Sequence, residues 1–159
     1  MKKNTFIILA LILIDQIIKL IVVNTIGATG ESIAFIPNIL NFTYVENTGG
    51  AFGLFSGRLL LIGLDILIIY AVARLLLNKK YELDTKAKLG LSLIIAGGMG
   101  NLIDRIFRGY VIDYIDITEL INIIVFNFAD ICIVSGVILV FIMILINTVK
   151  KQESPNEGV

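Results

Sequence analysis

Four apolar runs, at 6–23, 59–77, 89–106 and 128–149, constrain this chain more than any other feature. A bilayer-spanning helix needs roughly 20 mostly apolar residues. Backbone inside hydrocarbon must satisfy its own N–H and C=O groups, which favours helices over open strands. The third run is apolar only to about residue 103, and Asn101, Asp104 and Arg105 finish it at the interface. A chain that is 57% hydrophobic, with mean hydropathy +0.94, is therefore expected to be an all-α polytopic membrane protein. Its 159 residues allow one bundle of four transmembrane helices, residues 1–151, and no second domain. The polar stretch 152–159 contains Pro155 and is expected to be a disordered cytoplasmic tail. The "MKK" start before an apolar run also fits a cleaved signal peptide. Asp15, Gln16 and Lys19 inside that run favour a retained helix.

Lysine and arginine set the expected orientation. Lys2 and Lys3 precede the first run, Lys79, Lys80, Lys86 and Lys88 lie between the second and third, and Lys150 and Lys151 follow the fourth. The other two loops carry only Arg58 and Arg108, with Arg105 at a helix end. The positive-inside rule puts both termini and the middle loop in the cytoplasm. The first and third loops then face outward.

That orientation gathers the polar residues. Asn101 and Asp104 sit at the outer end of the third run, Asn127 and Asp130 at the outer start of the fourth, and Asn47 and Asp113 in the outer loops. Asp15 lies twelve residues beyond Lys3, roughly 18 Å along a helix. Ionisable groups near lipid are costly and mark function by default. There is no histidine, so a Ser–His dyad and an H-E-x-x-H zinc site are excluded. The lone Cys132 cannot form an intrachain disulfide and reads as a small core residue. Two aspartates acting together are the leading candidate. A Ser–Lys dyad would have Ser56 and Lys19 to draw on, but nothing in their placement singles them out.

The outer loops are not plain linkers. "NILNFTYVEN" (38–47) alternates in polarity and favours a strand. The "NTGGAFG" that ends it (47–53) is a glycine-rich turn. The second outer loop, about 107–127, is also apolar, and is expected on the membrane surface or in a small sheet over the helix mouths.

Five motifs in order, "DQIIK" (15–19), "NTGGAFG", "GGMGNLIDR" (97–105), "VIDY" (111–114) and "FNFAD" (126–130), resemble those of the lipoprotein signal peptidases, or signal peptidase II. The resemblance runs from the first helix to the fourth. It implies an aspartyl protease of four transmembrane helices with a small extracytoplasmic β-cradle. It further implies cleavage of bacterial prolipoproteins just before a diacylglyceryl-modified cysteine. The matched catalytic pair is Asp113 and Asp130. Asp15, Lys19, Asn47, Gly49, Asn101, Asp104, Arg105 and Asn127 match positions around the site. Gly50 departs from the family's usual alanine, which loosens the turn without removing a reactive group. The resemblance also implies no metal or other cofactor, no nucleic-acid partner, contact with membrane lipid, a monomer, and a place in the bacterial cytoplasmic (inner) membrane with the site towards the outer leaflet.

Two close carboxylates suffice for peptide hydrolysis. They share one proton, so one can activate water while the other polarises the carbonyl. Several roles are less sharply defined. Asp15 and Lys19 are spaced to pair on one face, with Lys19 snorkelling outward, and Asp15 is equally open to substrate-lipid contact. Asp104 reads as an ion-pair partner of Arg105 or a partner of Asn101. Asp65 reads as buried against a polar group of another helix, Arg74 as a snorkelling end residue, Asp116 and Glu119 as solvated loop charges. Gly97, Gly98 and Gly100 read as helix-packing positions. Phe52, Phe55 and Tyr114 are expected to close over a substrate. A transporter would instead spread polar groups through the membrane depth, and a scaffold would need no paired aspartates.

Overall fold

A computed structural model of the chain describes residues 2–49, 57–117 and 125–153. Helix α1 (Lys2–Val22) continues through a π-helical stretch, Val23–Gly27, into a hairpin of β1 (Ile33–Ile36) and β2 (Leu40–Asn47). Helices α2 (Arg58–Leu77) and α3 (Thr85–Phe107) follow, then β3 (Val111–Asp116), the short β4 (Val125–Phe126) and α4 (Phe128–Glu153). The stretches Lys2–Gly27, Arg58–Leu77, Thr85–Phe107 and Phe128–Val149 are long and apolar enough to cross a membrane. Each includes one of the expected runs whole. The third begins earlier because Asp84 caps it, its side chain accepting from Ala87 N at 2.7 Å. Helix α4 extends to Glu153, two residues into the expected tail, and residues 154–159 lie outside the described residues.

Helix α3 is central, and α1, α2 and α4 all pack on it. Its glycines permit the approach. A Cβ on Gly90 would sit 2.9 Å from Gly136 O, and one on Gly97 would run into Ala129 O. At Gly100 a Cβ would lie 2.6 Å from Asp15 Oδ2, so this glycine makes room for a carboxylate. Apolar side chains such as Leu9, Leu13, Leu67 and Phe141 point outward and exposed, as lipid-facing residues do.

The four strands form one antiparallel sheet in the order β1-β2-β3-β4. It sits on the end of α1, where Val22, Ile112 and Tyr114 form a buried cluster. Tyr114 therefore does not close over a substrate. Its ring is in the core and its hydroxyl accepts from Phe128 N at 3.2 Å. Asp116 is not a solvated loop charge either. It is in β3, buried, and accepts from Thr43 Oγ1 at 2.9 Å. Phe52, Phe55, Ser56 and Glu119 lie outside the described residues.

Candidate active site

The first three N–H groups of a helix have no partner within it. In α4 each finds one from a different place. Phe128 N donates to Tyr114 on β3, and Ala129 N donates to Asp15 Oδ1 on α1 at 3.1 Å. Asp130 N donates to Asn127 Oδ1 at 3.0 Å. Asn127 N in turn donates to Asp130 Oδ2 at 3.1 Å, closing a reciprocal capping box in which aspartate takes the usual glutamate place. The "NFAD" spacing thus fixes Asp130 against the helix start. Its other oxygen accepts from Asn101 Nδ2 at 2.8 Å.

Asp113 comes from the sheet. It pairs with Val45 across β2 and β3, and Val111 pairs with Asn47, so Asn47 and Asp113 are diagonal neighbours on one face. Asn47 Nδ2 donates to Asp113 Oδ2 at 2.8 Å. Asn47 Oδ1 accepts from Gly49 N at 2.8 Å, an Asx turn that fixes the amide's orientation. Gly49 has φ +80°, and a Cβ there would run into Leu61. Asp113 Oδ1 accepts from Asn127 Nδ2 at 2.6 Å. Asn127 therefore touches both carboxylates, one through its side chain and one through its backbone. Burial pushes the Asp113 carboxyl above the ordinary carboxylate range, and the Asp130 charge adds to this. The Asn47 and Asn127 donors and the Lys19 ammonium oppose it.

Beneath the pair lies a buried charge cluster. Lys19 is fully buried, not snorkelling, and its Nζ lies 3.0 Å from Asp15, 2.8 Å from Asp104 and 3.1 Å from Asn101 Oδ1. Asp104 also binds Arg108 and accepts from Ile112 N at 3.2 Å, one residue before Asp113. Asp15 holds the α4 backbone one residue before Asp130. Lys19 thus ties together the two carboxylates that position the backbones of the pair.

Asp104 does not pair with Arg105, one of its two expected partners, and shares the Lys19 ammonium with the other, Asn101. Successive helix positions diverge by about 100°, so Arg105 turns to α2 and binds Asp65 at 2.8 Å. This gives Asp65 the interhelical polar partner expected of it. Cys132 is free and buried. Sequence reasoning gave Gln16, Arg58 and Arg108 no role at the site. Gln16 Nε2 bridges Asp15 and Gly100 O, at 3.1 and 3.2 Å. Arg58 donates to Arg105 O and Ile106 O, at 2.9 and 2.7 Å, closing the carbonyl end of α3. The i,i+4 spacing of Asp104 and Arg108 was the available signal for the last.

Asp113, Asp130 and Asn47 open into a cavity of about 520 Å³. Val125, Phe126, Ile131 and Val134 make its walls mainly apolar, and Ile131 and Val134 continue it down the exposed side of α4. Two carboxylates, each held by two N–H donors, face a space large enough for an extended peptide segment.

Residues 7–146 match the family described as Signal peptidase (SPase) II. The lipoprotein signal peptidase of Enterococcus faecalis is 37% identical over 152 residues, covering 95% of this chain and 93% of that protein. That of Streptococcus pneumoniae is 39% identical over 148 residues, covering 91% and 95%. A solved structure described as a bacterial membrane enzyme superposes with TM-score 0.82 at 30% identity, covering 100% of this chain and 95% of its own. A second of the same description gives 0.81 at 31%, covering 91% and 94%. With the match extending over nearly the whole chain, and the fold shared with a membrane enzyme, this chain belongs to the signal peptidase II family.

Proposed function

We propose that Asp113 and Asp130 are the catalytic carboxylates with which this chain acts as an aspartic endopeptidase on bacterial prolipoproteins, cutting before the diacylglyceryl-modified cysteine. The observation that carries the assignment is Asn127, which binds both carboxylates at the mouth of one cavity. In the resting pair the two carboxylates share one proton. We place that proton on Asp113, the more buried of the two. Asp130 then takes a proton from water as its oxygen attacks the scissile carbonyl carbon, while Asp113 donates its proton to the carbonyl oxygen. The tetrahedral intermediate collapses as the C–N bond breaks. The amine leaves with the proton held by Asp130, and the intermediate's hydroxyl returns one to Asp113. The pair ends as it began.

The support residues divide by what they touch. Asn47, Asn101 and Asn127 orient carboxylate oxygens without adding charge. Gly49 orients Asn47, while Asp15, Lys19 and Asp104 hold the two backbones. Arg105 braces α3 against α2 through Asp65. The substrate's acyl chains would lie along Ile131 and Val134, in contact with membrane lipid. The lysines beside both termini support an orientation with the termini on the cytoplasmic side of the inner membrane and the cavity towards the outer leaflet. The network comes from one chain, which suits a monomer.

The test is cleavage of a purified diacylglyceryl-modified prolipoprotein, with the cut located by mass spectrometry. Wild type is expected to cut before the lipidated cysteine, Asp113→Asn and Asp130→Asn to be inactive while folded, and the unlipidated precursor to be a poor substrate. Equal cutting of both precursors would remove the lipid from the reading. An active Asp113→Asn would remove Asp113 from the pair.

A further inference from the structure

At the end of the bundle opposite the aspartates, the starts of α1 and α3 and the end of α2 enclose a cavity of about 460 Å³. Lys3, Lys79 and Lys88 line it, one from each of three parts of the chain, with Glu82 as its one carboxylate. A second cavity of about 300 Å³ shares Leu77, Asn78 and Lys79 with it and adds Arg74. Near the aspartates, Lys19, Arg105 and Arg108 each bind a carboxylate. At this end, among the described residues, Lys3, Arg74, Lys79 and Lys88 make no ion pair. Four cations therefore face a single carboxylate across two joined hollows.

A third, smaller cavity of about 190 Å³ lies between α3 and α4, where Leu91, Val140 and Met143 give it apolar walls. Tyr81 lines both this groove and the basic cavity. A phosphate needs the first environment and an acyl chain the second. Basic pockets between membrane helices bind anionic head groups.

We propose that this end of the bundle binds an anionic phospholipid, its phosphate among Lys3, Lys79 and Lys88 and one acyl chain in the groove between α3 and α4. The site is separate from the substrate cavity and does not depend on the catalytic assignment. A free phosphate ion would use only the basic hollow and leave the groove empty, which separates the two sources of the same chemistry.

The test uses the full chain in detergent, with native mass spectrometry and thermal unfolding as readouts. Phosphatidylglycerol, phosphatidylcholine of matched chains and inorganic phosphate are the three probes. One phosphatidylglycerol is expected to stay bound and to raise Tm, with the other two probes ineffective. Each lysine contributes about fivefold near such a surface, so Lys79→Gln with Lys88→Gln should weaken binding roughly 25-fold. Lys2→Gln with Lys86→Gln removes the same charge from exposed positions outside the cavity and should change binding less than about twofold. Replacing Lys79 and Lys88 by arginine should restore it, which separates lost charge from a damaged fold. Equal loss in the two neutralised pairs would reduce the effect to general surface charge and overturn the site. Phosphatidylcholine binding as tightly would remove the head-group reading, and inorganic phosphate matching the lipid would make it a free-anion site.

Discussion

At the scale of residues, the least replaceable group outside the pair is Lys19. Removing one partner from a buried charge group leaves the others uncompensated, at a cost of about 3–5 kcal/mol. Lys19→Met should lower stability by about that much, read as a loss of Tm in detergent, because Asp15 and Asp104 both lose their shared cation. Unchanged Tm would mean the cluster is not held by charge. A second prediction concerns pH. Burial raises the Asp113 pKa, so its proton persists to higher pH than an ordinary carboxyl's, and activity is lost as pH rises through that value. The Asn47 donor lowers it, so Asn47→Ala should move the alkaline limb of kcat/KM upward while reducing its maximum. A downward shift would contradict Asp113 as the proton carrier. The same sign holds for stability: a carboxyl raised on folding favours the folded state most below its unfolded pKa, and that gain disappears as pH rises through the folded value. The spacing of Asp15 and Lys19 was legible in the sequence, but the direction of Lys19 was not. Snorkelling is the default for an isolated helix, and only the packed α3, offering Asp104 and Asn101, makes the inward rotamer favourable.

At the scale of elements, the site depends on how closely α3 and α4 approach. Gly97 faces backbone, where a Cβ meets Ala129 O, whereas Gly98 faces only the Ile69 side chain, at 3.0 Å. Gly97→Ala should destabilise by about 1–3 kcal/mol and cost activity beyond that, since it separates Asn101 from Asp130. Gly98→Ala should be nearly neutral, because Ile69 can shift and alanine gains about 1 kcal/mol of helix propensity. Thermal unfolding and kcat/KM of both variants check this, and equal effects would contradict it. The helices were legible because each carries an apolar run, and β2 was legible from its alternation. The sheet's pairing was not, since the partners are some 70 residues apart and the register rests on contacts between Asn41–Asn47 and Val111–Asp116. Nor was the capping box read, although "NFAD" contains both of its members.

At the scale of the whole molecule, the lysines gathered at one end predict the orientation, with that end facing the cytoplasm. A single cysteine placed at Glu31 should react with an impermeant maleimide on intact cells, and one at Lys80 only after permeabilisation. Cys132 is buried and adds little background. Labelling of Lys80→Cys on intact cells would invert the topology. The family was legible because five motifs stand in register, but the buried link between them required coordinates: Lys19, Asp15 and Asp104 reach the backbones beside Asp113 and Asp130 from two helices. The central claim is that Asp113 and Asp130 act as one unit. Its most direct test is kcat/KM on lipidated precursor for Asp113→Asn, Asp130→Asn and the double variant, each shown to be folded. Residues that act as a unit lose nearly everything singly, so each single variant should fall by roughly 10³-fold or more and the double variant should fall little further. Losses that multiply in the double variant, or a single variant near wild-type activity, would contradict the pair.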